Sequence, residues 1–94
     1  MNPFKKDQEV ATVQVYGLYS IKDELEGFTP PVICKDDQNA KRWFKTQLEN
    51  NPLMKGNPTD FSIWLIGYFH TGKGIIRALP ENELTKVDWG VKNE

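Results

Sequence analysis

The segment Gly67-Tyr68-Phe69-His70-Thr71-Gly72-Lys73-Gly74 carries glycines and a lysine at the spacing of a phosphate-binding loop. Such a loop needs a hydroxyl directly after its lysine to hold magnesium. It also needs a helix behind it whose N-terminal amides face the anion. Gly74 stands at the hydroxyl position, and the residues that follow, Ile75-Ile76-Arg77-Ala78-Leu79, have the composition of a strand. The segment therefore predicts a hairpin turn. His70 is the only histidine and has no recognisable partner to make it a general base. Ser20, Ser62 and Cys34 fall in strand or edge contexts, and Asp23, Glu24 and Glu26 form an acidic loop of the kind water solvates. With so many roles of an active site empty, the sequence predicts a binding protein and not an enzyme. A lone cysteine excludes an internal disulfide, and one cysteine with one histidine cannot build a protein-only zinc site, so no cofactor or metal is expected.

Two groups of residues are candidates for binding. Lys41, Arg42 and Lys45 lie within five positions, with Lys35 just ahead of them, on a chain whose 12 basic and 13 acidic residues otherwise cancel. That balance excludes an all-over basic nucleic-acid binder, so any such role rests on a local patch. The patch reads either as a set of phosphate contacts or as an ordinary solvated helix face, and overall charge favours the second. The other group is aromatic. Strict alternation along Phe61–Phe69 puts Phe61, Ile63, Leu65 and Phe69 on one face, and Ser62, Trp64, Ile66 and Tyr68 on the other. Tyr16 extends this second surface from the first strand. One helix covers only one face, so Trp64 and Tyr68 either pack in a subunit interface or stack on bases. Ile66 between the rings suits dry packing, which predicts a homodimer.

Ninety-four residues make one domain with a modest core. The chain divides into a polar arm over residues 1–9, a single domain over 10–80 and a polar tail over 81–94, from which Leu84, Val87 and Trp89 can dock. Alternation predicts a strand from Val10 to Tyr19, a loop over Asp23–Gly27, and an edge strand over Phe28–Cys34 confined there by Pro30 and Pro31. Asp36 or Asp37 caps a helix whose Ala40, Trp43, Phe44, Gln47 and Leu48 recur every three or four residues, and Pro52 ends it. A loop then runs to Thr59, ahead of the Phe61 strand and its hairpin. The expected class is α+β, a small antiparallel sheet in the order strand-strand-helix-strand-strand with one helix packed on one face. No apolar run approaches the roughly 20 residues that span a bilayer. The first residues turn polar where a secretory signal needs an apolar stretch, so a cytoplasmic protein without membrane contact is expected.

The chain resembles the small nonstructural protein of gokushovirus-type microviruses, which are single-stranded DNA phages. The likeness runs from about Val13 to Ile76. It rests on the strand Val13-Gln14-Val15-Tyr16, the pair Pro30-Pro31, the helix Asn39-Ala40-Lys41-Arg42-Trp43-Phe44, and above all Asn57-Pro58-Thr59-Asp60-Phe61 through Gly72-Lys73-Gly74. Ala40, Arg42 and Phe44 match the family's alanine, arginine and phenylalanine on that helix. The resemblance implies a non-enzymatic protein that binds single-stranded DNA during viral DNA replication or genome packaging, in the host bacterial cytoplasm. With that partner in view, Lys35, Lys41, Arg42 and Lys45 are the expected phosphate contacts, and Tyr16, Trp64 and Tyr68 the expected base-stacking rings. The alternative is an adaptor that binds the viral replication initiator or a capsid protein through the same aromatic surface.

Overall fold

Alternation of apolar and polar residues continues past Tyr19 through Ser20, Ile21 and Lys22, and the first strand follows it. The computed structural model describes residues 14–88. The expected arm over residues 1–9, the first residues of the expected strand (10–13) and Trp89 lie outside the described residues. Along the chain come β1 (Val15–Asp23), β2 (Gly27–Phe28), β3 (Val32–Cys34), helix α1 (Asp37–Asn50), the short helix α2 (Pro52–Gly56), β4 (Phe61–His70), β5 (Ile75–Ala78) and β6 (Thr85–Lys86). They form the expected α+β architecture, an antiparallel sheet with one main helix against it. β1 runs four residues beyond its expected end because Ile21 belongs to the core, at 5% exposure.

β1 and β4 pair along their whole length at the centre of the sheet. Each outer edge is a single segment that breaks and resumes. Beside β1, pairing passes from Lys22↔Phe28 to Tyr19↔Val32, so the edge holds one residue more than β1 across Pro30-Pro31. The prolines have no N–H to give the ladder, which is why the break falls there. Beside β4, β5 pairs with Gly67–His70, then the chain leaves through Pro80 and a 3-10 turn at Glu81–Glu83. It returns as β6 against Trp64 and Leu65. The Val87 N–H donates to the Ile63 carbonyl at 2.9 Å, and the Val87 side chain is buried in the core. The body thus extends past the boundary expected at residue 80, because a valine at a core register outweighs the polar residues around it.

A second irregularity lies inside the central pair. Leu18 sits opposite Gly67, but the next residue of β1, Tyr19, sits opposite Leu65, leaving Ile66 as an extra residue on β4. Such a bulge interrupts the ladder and reverses the alternation beyond it. Gly67 beside it is required for close approach, since a Cβ there would lie 2.6 Å from the Arg77 carbonyl oxygen.

Helix α1 begins where Asp36 accepts from the Asn39 backbone N–H at 2.9 Å, as one of the two expected caps. Its buried face is Ala40, Phe44 and Leu48, packed on Tyr19, Ile21 and Ile63, with Trp43 partly buried beside them. The segment expected as a loop from Pro52 starts with α2 instead. Asn51 accepts from the N–H groups of Leu53 and Met54, and Pro52 occupies a first-turn position where its missing N–H costs nothing. The residues that stop α1 therefore start α2, which delivers Met54 to the core. The expected hairpin turn is present: the Gly74 N–H donates to the His70 carbonyl at 2.8 Å, and Gly74 adopts a φ of 66°.

Asp37 does not cap the helix but accepts from the Tyr19 hydroxyl at 2.6 Å, joining the first turn of α1 to the middle of β1. Burial and that carboxylate both push the Tyr19 hydroxyl far above its ordinary range. Its folded pKa lies above the unfolded one, so the bond's stabilisation is complete below about pH 10 and fades as pH rises further. Tyr19→Phe should therefore lower stability by about 1–3 kcal/mol at neutral pH. In urea titrations the gap between the two proteins should narrow above pH ~10. Gly67→Ala should lower the urea midpoint by an equivalent of about 1–3 kcal/mol with an unchanged slope, because the added methyl meets backbone.

Candidate nucleic-acid interface

Directly opposed residues of an antiparallel pair point to the same side of the sheet, so the register assigns every strand side chain to a face. Tyr19, Ile21, Phe61, Ile63 and Leu65 lie toward the helices. Beyond the bulge the sides exchange. Tyr68 pairs with Gly17 and joins the helix side, while Phe69 pairs with Tyr16 on the opposite side. Trp64 and Tyr68, expected on one face by strict alternation, are thus on different faces. Tyr68 lines a cleft of about 550 Å³ together with Tyr19, Lys35, Asp36 and Asp37.

The face turned away from the helices carries Tyr16, Leu18, Ser20 and Lys22 from β1, Phe28 from β2 and Ile33 from β3. From β4 it carries Ser62, Trp64, Gly67 and Phe69, with Ile76 from β5 and Lys86 from β6. Phe28, Ile33 and Ile76 are exposed, and Tyr16, Trp64 and Phe69 are half-buried. The strand charges on this face, Lys22 and Lys86, are cationic, and Asp23, the single carboxylate carried by any described strand, sits at a helix-side register position. The exposed Asp88, which follows Val87 where the register continues past β6, falls opposite Ser62 on the same side as the lysines.

Four of these residues are already organised. The Trp64 indole N–H donates to the Ser62 hydroxyl at 2.8 Å, which fixes the ring along its own strand. Phe28 meets it edge-on with centroids 6.0 Å apart and an interplanar angle of 78°. The Lys22 ammonium lies 5.5 Å from the Trp64 centroid and 5.7 Å from that of Phe28. A cation over two rings is attracted by both faces, an effect of about 0.5–1 kcal/mol at an exposed site. Beneath them Ser20 is fully buried and donates to the Thr29 carbonyl at 2.6 Å, so the floor leaves that hydroxyl satisfied. Tyr16 and Phe69 stand directly opposite each other in the register, four residues from the Trp64 row along β1, or roughly 14 Å at the rise of a strand.

The helix cations lie elsewhere. Lys41 is half-buried, and Arg42 and Lys45 are exposed on α1, on the far side of the sheet from Trp64 and Tyr16. On one helix ridge Asp37, Lys41, Lys45 and Glu49 follow at four-residue spacing, so two carboxylates bracket the two lysines. Lys35 precedes the helix in the cleft with Tyr68. The seven residues expected to meet DNA therefore divide into Tyr16 and Trp64 on the open face, and Lys35, Lys41, Arg42, Lys45 and Tyr68 on the helix side. Lys22, Phe28, Phe69 and Lys86 join the open face, and sequence reasoning did not single them out. The signal for Lys22 was present, since it continues the alternation of Tyr16, Leu18 and Ser20. The others depended on pairing register.

Among the described residues, no helix is long and apolar enough to cross a membrane, and no group of three or more His, Cys, Asp or Glu side chains converges to hold a metal. A family model described as Phage ORF5 protein matches residues 16–88, and the chain belongs to that family of phage proteins. No curated protein and no solved structure matches it.

Proposed function

We propose that this member of the phage ORF5 family binds single-stranded DNA through the open face of its sheet during viral DNA replication or genome packaging, in the host cytoplasm, without acting as an enzyme. The observation that carries the reading is the make-up of that face: rings organised around Lys22, with Lys86 opposite Trp64. Every base offers a π-face, so aromatic platforms bind single strands without needing a sequence, at about 1–3 kcal/mol per stacked base. Trp64 and Phe28 form one platform, and Tyr16 with Phe69 the other. Ser62 holds the Trp64 indole in place before any base arrives, which lowers the entropy lost on binding. A base stacking there displaces Lys22 from the rings toward the backbone phosphate that comes with it. Lys86, opposite Trp64 on β6, supplies a second phosphate contact.

A second reading, an adaptor for a viral replication initiator or capsid protein, draws on a groove of about 380 Å³ between the β2 edge and the helices. Its walls include Phe28, Trp43, Met54 and Phe61. Salt separates the two, because phosphate contacts release counterions and an apolar groove does not.

In fluorescence anisotropy with labelled oligothymidylate over a range of salt, affinity should fall steeply as salt rises. Lys22→Gln with Lys86→Gln should flatten the logarithmic slope by up to about 1.4, at ~0.7 for each phosphate contact on a single strand. Trp64→Ala should lose the equivalent of about 1–3 kcal/mol. Replacing Lys41, Arg42 and Lys45 together by Gln should leave the slope nearly unchanged. Flattening by the helix triple and not by the sheet pair would transfer the site to the helix. Salt-independent or absent binding would leave the adaptor as the better account.

A further inference from the structure

We infer that β5 is a dimerisation edge, pairing antiparallel with β5 of a second copy to continue the sheet across a two-fold axis. β5 ends the sheet, all four of its residues are exposed, and Ile75 and Ile76 stand at its outer border with Arg77 as its single charge. An apolar edge strand is a template for another strand, and folded proteins normally block one with prolines, charges or bulges.

The opposite edge is blocked in that way. Pro30-Pro31 interrupts it and the register steps there by one residue. An open edge meeting a blocked one cannot propagate into a fibre, whereas two open edges meeting each other close as a pair. The asymmetry between the edges is what selects a second copy of this chain as the partner.

The backbone also selects a register. The Leu79 N–H donates to the Ile66 carbonyl at 2.9 Å, making those two a hydrogen-bonded pair. Counting back through Gly67↔Ala78, Tyr68↔Arg77 and Phe69↔Ile76, Arg77 and Ile75 direct their backbone groups to β4, and Ile76 and Ala78 direct theirs outward. A two-fold axis at Ile76 sets it against the partner's Ile76 and sets Arg77 against the partner's Ile75. An axis at Arg77 would oppose two guanidinium groups. The Ile76 register also keeps both open faces on one side, so the ring-bearing surface of one copy continues into that of the next. This dimer is independent of whether that surface binds DNA, and it replaces the interface expected around Trp64, Ile66 and Tyr68.

Two four-residue strands form a small interface, so association should be concentration-dependent, on the order of tens of micromolar. Sedimentation velocity from about 1 µM to about 500 µM should show a monomer passing to a dimer and no further. Ile76→Pro removes an outward N–H and none that β4 uses, and should weaken the dimer at least ~10-fold. In a Cys34→Ser background, Ile76→Cys should cross-link to itself on oxidation, because directly opposed Cα atoms in a hydrogen-bonded pair lie about 5.5 Å apart. Ile75→Cys should not, since it faces the partner's Arg77. A monomer at every concentration, or cross-linking equal at positions 75 and 76, would overturn the proposal. So would a dimer unaffected by Ile76→Pro.

Discussion

Ile66 has no partner on β1, and that single-residue excess on β4 sets which side chains meet the helices and which meet water over the second half of the central pair. Without it, Phe69 would continue the series of Phe61, Ile63 and Leu65, and Tyr68 would stand with Trp64. With it, Tyr68 turns toward the N-terminus of α1 and Phe69 joins Tyr16. A bulge disturbs the ladder at one point, yet it moves every later side chain of its strand to the other face. Gly67, next to it, lets β5 approach closely enough to cover the irregular stretch, because no Cβ stands between it and the Arg77 carbonyl.

The helix is held against this sheet by packing and by a directional bond from Tyr19 to Asp37. Ala40, Phe44 and Leu48 fill the space over Tyr19, Ile21 and Ile63, but apolar contacts alone leave a helix free to slide. The Tyr19 hydroxyl donating to Asp37 ties the first turn of α1 to a fixed point on β1. Gly17 makes that geometry possible, since a Cβ there would lie 2.5 Å from the Tyr19 ring. Asp36 and Asp37 therefore divide the work at the helix start, one satisfying backbone N–H groups and the other anchoring the helix to the sheet.

The molecule is consequently two-sided. Its helix side mixes charges of both signs, with Asp37 and Glu49 bracketing Lys41 and Lys45, which suits a solvated surface. Its sheet side gathers rings around Lys22 and leaves Phe28, Ile33 and Ile76 exposed. A chain with 12 basic and 13 acidic residues can still present a cationic aromatic surface, because the described strands carry one carboxylate, and that one, Asp23, lies on the helix side.

Local rules in the sequence determined the elements: the aspartate cap at the start of α1, the apolar recurrence through Ala40, Phe44 and Leu48, the proline-marked edge, and the hairpin ending at Gly74. Each depends on residues within a few positions of one another, so spacing alone exposes it. That the chain is a phage protein was legible in ordered motifs such as the run from Asn57 to Gly74, and the family match over residues 16–88 shows that much. α2 was also written locally, in Asn51-Pro52, but the same two residues signal the end of one helix and the start of another. What only the tertiary structure decided is which residues share a face. Lys22, Phe28 and Trp64 meet because β1, β2 and β4 pair in one register, and Trp64 parts from Tyr68 because β4 has one residue more than the strand beside it. A bulge is a mismatch between two strands separated by a helix, and neither strand's own alternation records the length of its partner.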